Sequence, residues 1–494
     1  MILRFLRYAS TNCERRRISI VGSGPSGFYT AYRLLTKCEV PLHVTMWEKL
    51  PVPFGLSRYG VAPDHPEVKN CEDTFTACAE EFSRPGQKHL FEFIGGVTVG
   101  EQVTLSELID KQDAVVLSYG CTGDKKLGIP GENDTKGVFS SREFVNWYNG
   151  HPEYANDPRF VNFDWSRVKN VGIIGNGNVA LDLTRALISN QIGELWDGTD
   201  ISPIALKCLR QAPVEHIRLI ARRDFDHSKF TNKELRELWE LERYGIYGKI
   251  DPQYFREDAY DLRSIKDRAF RRRVEMCSEY LKPFDQRTKK NYKKFAPQPS
   301  AQSPPKTWEL DYLKTPVRIN SDGSGYITSL TLCRNSITED NKICQLKDQQ
   351  VTYNLDLLIT SLGYAAKPLA EFQKLGIQFE KGRLANAAGR VLDSHGATFP
   401  GLYASGWIRT GSAGVIASTM MGAFEVADSI LQDLSSLPAK QTGRIDFSHL
   451  RHTTWPDWRS INRKELQQGE QEGKTRVKFL SSEEMLSFHK QSPA

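Results

Sequence analysis

Short apolar runs that end on a glycine, each followed by a helical pattern, organise this chain. Ile18-Ser19-Ile20-Val21 runs into Gly22, and Val171-Gly172-Ile173-Ile174 runs into Gly175. Runs of this length bounded by turn residues read as buried strands. The first unit continues as a helix over Phe28–Thr36 and a second strand ending at Glu48. Pro51–Asn70 is rich in Pro and Gly and is expected to be an extended loop lying near the first glycine turn. Ala114-Val115-Val116-Leu117-Ser118 and Leu355–Ser361 read as further buried strands. Between them, Arg256–Phe295 reads as helical and strongly charged, Ala296–Pro305 as a surface connection and Val317–Leu332 as a β-hairpin region. Phe399–Trp407 is a short strand running into a glycine, and a helix is expected from Gly414 to near Leu431.

The two glycine turns carry the candidate chemistry. They are GSGPSG at Gly22–Gly27 and GNGNVA at Gly175–Ala180. Gly22 and Gly175 allow the turn, Gly24 and Gly177 let backbone approach a pyrophosphate, and Gly27 and Ala180 let helix and strand pack closely. The helix N-terminus then presents unpaired N–H groups to the phosphates. The following strand distinguishes the two sites. The first ends at Glu48, about 20 residues past Gly27, where an acid bonds a ribose hydroxyl. The second, Ile217–Ala221, ends at Arg222-Arg223, and two guanidinium groups suit a 2′-phosphate. One non-phosphorylated dinucleotide, FAD, and one NADP are therefore expected. The rival reading is that one turn is only a structural βαβ connection.

These elements predict an α/β fold with two Rossmann-like dinucleotide-binding domains, the NADP domain inserted into the FAD domain. Residues 18–118 and 363–494 are assigned to the discontinuous FAD domain and residues 119–362 to the NADP domain. Residues 1–17 form a separate leader. Five arginines (Arg4, Arg7, Arg15, Arg16, Arg17) stand there against Glu14, beside Ser10 and Thr11, and Ile2, Leu3, Phe5 and Leu6 supply one apolar face. That composition fits a mitochondrial presequence; the alternative is a basic tail on a cytosolic enzyme.

A net charge of +6 over 494 residues favours an acidic partner only where the excess is clustered. No apolar run approaches the roughly 20 residues of a membrane span. None of the nine cysteines lies in CxxC, in the CxxxxC of a flavin disulfide reductase or in zinc or iron–sulfur spacing, which points to a reducing compartment. Electrons leaving a flavin therefore have no thiol relay to enter.

Taken together, GSGPSGFYTAYRLL (Gly22–Leu35), PFGLSRYGVAPDHPEVKN (Pro53–Asn70), LGIPGE (Leu127–Glu132), FVNWYNG (Phe144–Gly150), FTNKELRE (Phe230–Glu237), GLYASGW (Gly401–Trp407) and the tail from Trp455-Pro456-Asp457-Trp458 resemble the adrenodoxin reductase family, in order and over nearly the whole chain. A fungal member fits best. The resemblance implies electron transfer from NADPH through FAD to an acidic [2Fe-2S] ferredoxin in the mitochondrial matrix, in support of iron–sulfur cluster and haem synthesis. It implies at most peripheral contact with the inner membrane. It also implies FAD bound by Gly22, Ser23, Gly24, Pro25, Ser26, Gly27, Glu48, Lys49, Gly55, Leu56, Trp407, Gly414, Val415 and Ile416. NADP(H) is implied at Asn176, Gly177, Asn178, Val179, Arg222, Arg223, Glu234 and Gly414. The chain departs from the family at Asn176 (usually Gln), at Asp224-Phe225 (usually Gly-Pro) and at Ser412-Ala413-Gly414 (usually Pro-Thr-Gly). Asp224 beside the arginine pair puts 2′-phosphate binding in some doubt.

Asp64 and His65 sit in the flavin-side loop, where His65 bonds the isoalloxazine side or relays a proton, or where both residues only fix the loop. Asp182, in the helix after the second turn, either positions the interface or is solvated. Arg236 and the cluster Arg268, Arg271, Arg272 and Arg273 offer an electrostatic docking face, extended by Lys289–Lys294; a solvated charge run is the plainer reading. No nucleic-acid motif accompanies the charge. Two other functions stay open. One is a flavoprotein subunit feeding a larger synthase, a class that usually brings cysteine-ligated clusters. The other is a catalytically silent flavin-holding protein, which has no need of Arg222-Arg223.

Overall fold

The structure, a computed structural model, describes residues 15–299, 305–414, 416–438, 440 and 445–488. Two sheets hold the two glycine turns. The first is seven-stranded, in the order Asn386–Ala387, Arg390–Leu392, Thr398–Ala404, Ala114–Leu117, Arg16–Val21, Leu42–Glu48 and Leu90–Gly95. Its five longer strands run parallel, with Ile18 opposite both Val44 and Ala114. Ile18 and Ile20 face a core with Phe28, Met46 and Val426, while Val21 packs with Trp47, Leu117 and Leu402 on the other face. Burial on both faces explains why these strands read as nearly continuous apolar runs.

The second sheet is six-stranded and all parallel: Val138–Ser140, Leu357–Thr360, Asn170–Ile174, His216–Ile220, Lys306–Asp311 and Ile246–Ile250. In the first sheet the chain starts centrally, winds outward on one side and returns to the other; in the second, after the edge strand Val138–Ser140, it does the same from Asn170–Ile174. Such a reversal opens a crevice beyond the carboxyl ends of the strands, and each glycine turn occupies one. The chain crosses between the sheets at Gly123–Asp124 and Tyr364–Ala365, which pair antiparallel.

Three details differ from the sequence reading. Arg16 and Arg17, assigned to the leader, already belong to the first strand: Arg17 N donates to Asp113 Oδ2 at 2.7 Å and Arg16 Nη2 to the carbonyls of Leu434 and Leu437. The remainder of the leader, residues 1–14, lies outside the described residues. Within 256–295 only Arg268–Leu281 is an α-helix, started by Asp267, whose side chain caps Ala269 N and Phe270 N. The segment 256–267 is irregular, because its Tyr, Asp and Ser positions have no repeating apolar stripe. The expected hairpin is a three-stranded antiparallel sheet, Lys314–Ser321, Ile327–Ile337 and Ile343–Asn354. Its last strand escaped the sequence reading because it is mostly exposed and polar on both faces.

The long helix Trp455–Glu472 closes the first sheet. Trp455 and Trp458 pack edge-on against Phe54, and Glu465 pairs with Arg58 at 2.6 Å, both side chains being buried.

Candidate active site

The two glycine turns share one geometry. Gly22 and Gly175 have φ of +101° and +128°, in the left-handed half that favours glycine, and each donates to the neighbouring strand, Gly22 N to Trp47 O and Gly175 N to Ile220 O. A Cβ on Gly27 would lie 2.2 Å from Gly22 O, and one on Gly175 2.2 Å from Ser361 O, so these positions are closed by the protein itself. The middle glycines differ. A Cβ on Gly24 or Gly177 would meet nothing within 4 Å. The helices that follow, Pro25–Lys37 and Asn178–Ile188, have no side-chain cap. Open space over the middle glycine and uncapped N–H groups fit a bound pyrophosphate in both turns.

The strand ends carry opposite charge. Glu48 Oε2 accepts from Ser23 N at 3.0 Å and Ser23 Oγ at 2.7 Å, which holds the carboxylate beside the first turn. Arg222 is exposed and Arg223 half-buried, and among the described residues neither has an ion-pair partner. Asp224, the residue that put this pair in doubt, is bonded by His227 at 2.6 Å. Lys49 reaches Glu153 at 2.7 Å.

The Pro53–Asn70 loop lies against the first turn and reaches the helix that follows the second. Phe54 N donates to Ser23 O at 3.0 Å, and a Cβ on Gly55 would lie 3.2 Å from Gly24 Cα. Phe54 has φ of +85°, a conformation that costs a non-glycine residue about 1–3 kcal/mol and is held here by packing on Phe28, Phe75 and Trp458. Leu56 begins a short helical turn, Leu56–Tyr59.

Beyond that turn the loop meets the second domain in an ionic cluster. Asp64 binds Arg185 through both oxygens, and Asp182 joins Arg185 at 2.9 Å. His65 Nε2 lies 2.7 Å from Glu237 Oε2, and its Nδ1 lies 3.8 Å from Glu234 Oε1. Burial opposes charge on His65, but Glu237, Asp64 and Glu234 outweigh it, so its pKa is raised. Burial also works against the Asp64 carboxylate, yet Arg185 holds its pKa below the usual range. Glu234 is pushed up to about 7, by burial first and then by Asp182. The structure thus gathers four sequence candidates, Asp64, His65, Asp182 and the NADP candidate Glu234, around Arg185, which the sequence reading missed. Helical spacing from Asp182 to Arg185 was the one available signal.

A carboxyl with a raised folded-state pKa favours the folded state most at low pH, and this contribution is lost as pH rises through the folded value. Glu234→Gln should therefore gain thermal stability relative to the parent as pH rises from 5 to 8. Melting curves at four pH values check this; parallel curves would remove the assignment.

The late segment sits beside the crossover. Trp407 Nε1 donates to Ala413 O at 3.1 Å, and Ser412 Oγ both donates to Tyr364 O and accepts from Tyr364 N. Ser412 thereby ties this segment to the interdomain crossing. Gly414 has φ of +87°, and the helix runs Ile416–Asp433; Val415 lies outside the described residues.

Of the basic candidates, Arg268, Arg271 and Arg272 are exposed and Arg236 is half-buried. Arg273 is not a surface group. It donates to the carbonyls of Ser228 and Phe230, lies over the Phe230 ring, and burial lowers its pKa. Its place on the inner face of the helix, next to buried Val274, removes it from any docking face. No helix among the described residues is long and apolar enough to cross a membrane.

The fold and this site define a flavoprotein oxidoreductase with two dinucleotide-binding domains, using FAD and NADP(H). The NAD(P)-binding Rossmann-like domain family model matches residues 20–94. A Saccharomyces cerevisiae protein, called a probable mitochondrial NADPH:adrenodoxin oxidoreductase, is 66% identical over 484 residues, covering 97% of this chain and 98% of its own. The Bos taurus mitochondrial NADPH:adrenodoxin oxidoreductase is 36% identical over 506 residues, covering 98% of this chain and 94% of its own. Among solved structures, Mycobacterium tuberculosis FprA in complex with NADPH superposes with a TM-score of 0.80 at 29% identity, over 96% of this chain and 99% of that one. The chain belongs to the NADPH:adrenodoxin oxidoreductase family.

Proposed function

We propose that this chain takes electrons from NADPH onto FAD and passes them singly to an acidic [2Fe-2S] ferredoxin of the adrenodoxin type in the mitochondrial matrix. The carrying observation is the pair of open, uncapped glycine turns with Glu48 beside one and Arg222-Arg223 beside the other. Bound FAD supplies the conversion from two-electron to one-electron chemistry. The residues bind and orient. Gly22–Gly27 and the helix after it hold the FAD pyrophosphate, Glu48 its ribose, and Gly55, Leu56, Trp407, Gly414 and Ile416 line the flavin end. Asn176–Val179 hold the NADPH pyrophosphate, and Arg222 and Arg223 its 2′-phosphate. Asp64, His65 and Asp182 set the contact between the domains where the two nucleotides approach. We assign an FAD domain to residues 18–118 and 363–494 and an NADP domain to residues 119–362, a division supported by the membership of the strands in two separate sheets, although the first strand already begins at Arg16.

Anaerobic mixing with NADPH should bleach the flavin absorbance, and adding a plant-type or adrenodoxin-type ferredoxin with cytochrome c should give steady cytochrome reduction. Bleaching without ferredoxin-dependent turnover would assign the chain to another acceptor. No bleaching would make it a silent flavin holder. Flavin released by heat should run as FAD; recovery of FMN would refute the reading of Glu48 and the first turn.

A further inference from the structure

Arg185 lies on helix Asn178–Ile188, two turns after the second glycine turn, and only 4% of its side chain is exposed. Its guanidinium meets acids from three elements. Asp64 comes from the flavin-side loop, Asp182 from its own helix, and Glu234 and Glu237 from helix Asn232–Trp239 at 3.5 and 3.7 Å. A buried cation so placed is held by both domains, and a planar fork can serve several oxygens at once where an ammonium cannot.

The same guanidinium competes for one atom of His65. Arg185 Nη2 lies 3.2 Å from His65 Nε2, and Glu237 Oε2 lies 2.7 Å from it. A protonated Nε2 donates to Glu237 and has no lone pair left to accept from Arg185. A bare Nε2 accepts from Arg185 and leaves Glu237 without that donor. The two neighbours therefore favour opposite states of the imidazole. Other charges facing His65 are Asp64 and Glu67 on its own loop and Lys233 on the facing helix, where Lys233 is paired to Glu67. The buried Tyr148 phenol completes the surround through Asp64, Asp182 and Arg185. Four carboxylates against one permanent buried cation leave Arg185 as the main group acting against the imidazolium.

We propose that Arg185 is a positioning residue for the flavin-side histidine: its fork ties the Asp64–His65 corner to the NADP-domain helices and works against the imidazolium that Glu237 favours at Nε2. This rests on the flavin reductase reading, but its primary test does not use turnover. In FAD-loaded protein labelled with 15N-histidine, the His65 ring signals are assigned by their loss in His65→Gln and titrated with pH. Arg185→Met should raise the His65 midpoint by about one pH unit or more, because an opposing charge and a donor are both lost. Arg185→Lys should raise it by less, since charge remains but the fork does not. A midpoint unchanged in Arg185→Met overturns the proposal. Should that variant not retain FAD, Arg185→Lys decides, a midpoint unchanged from the parent again overturning the proposal; in Glu237→Gln, where the competing negative charge is gone, the midpoint should fall. The pH profile of flavin bleaching by NADPH should move with the midpoint in each variant. Failure of ferredoxin turnover alone, with these shifts present, would count against the functional reading and leave Arg185 in its role.

Discussion

Replacing Arg222 and Arg223 together by alanine should abolish most of the preference for NADPH over NADH. The two side chains stand at the end of strand His216–Ile220, next to the second glycine turn, with no carboxylate paired to them among the described residues. Their backbone is fixed from the three-stranded sheet side: Asn335 Nδ2 donates to Arg222 O at 2.8 Å, and Leu313 N donates to Arg223 O at 3.2 Å. Alanine therefore removes the guanidinium groups without loosening the strand end. Losing charge-assisted bonds to a 2′-phosphate costs about 2–5 kcal/mol, or roughly a 30- to 4,000-fold loss of discrimination. Exposure of Arg222 places the expected value toward the lower part of that range. The loss should fall on the Michaelis constant for NADPH, because a 2′-phosphate contact is the same before and during hydride transfer. Kinetics with NADH should hardly move. Asp224→Gly should change little, because His227 already occupies that carboxylate. If the double variant discriminates as well as the parent, the 2′-phosphate is read elsewhere.

The nucleotide sites were legible in the sequence because their requirements are local. A positive φ at Gly22, a clash-free third position at Gly27 and an acid or an arginine pair at the next strand end all lie within one βαβ unit, and sequence spacing reports them directly. The ionic cluster was not legible in the same way. Asp64, Arg185 and Glu237 are far apart in the chain: the packing of two NADP-domain helices joins Arg185 to Glu237, and the approach of the other domain adds Asp64. The sequence reading found Asp64, His65 and Asp182 through their company in recognisable segments, but not the guanidinium that joins them. Arg273 failed for a related reason. Three consecutive arginines look alike as a run, yet a helix turns each by about 100°, so one of the three must face inward. The same limit applies to strand Ile343–Asn354, whose pairing with Ile327–Ile337 leaves no apolar alternation to read.

Reversing Arg271 and Arg272 to glutamate should slow ferredoxin-dependent cytochrome c reduction by one to three orders of magnitude at low salt, the range over which electrostatic steering acts on association. Both residues are exposed on helix Arg268–Leu281, with Arg268 exposed one turn earlier, so the substitutions leave buried contacts alone. An acidic partner approaching this face meets repulsion in place of attraction, and the effect falls on encounter rate more than on the chemistry that follows. Reduction of ferricyanide should be almost unchanged, because a small acceptor needs no docking face. Activity of the parent with ferredoxin should also fall as salt rises, since exposed charges are screened beyond about 10 Å near 0.1 M ionic strength, and the variant should lose most of that salt dependence. Arg273→Glu separates docking from folding. Its side chain holds two backbone carbonyls inside the domain, so it should lower thermal stability and depress both activities together. Equal loss with both acceptors in the Arg271→Glu, Arg272→Glu variant would mean damage to the fold. No loss with ferredoxin would move the docking face to Lys289–Lys294, where Lys290 is exposed while Lys289 is already paired with Glu275.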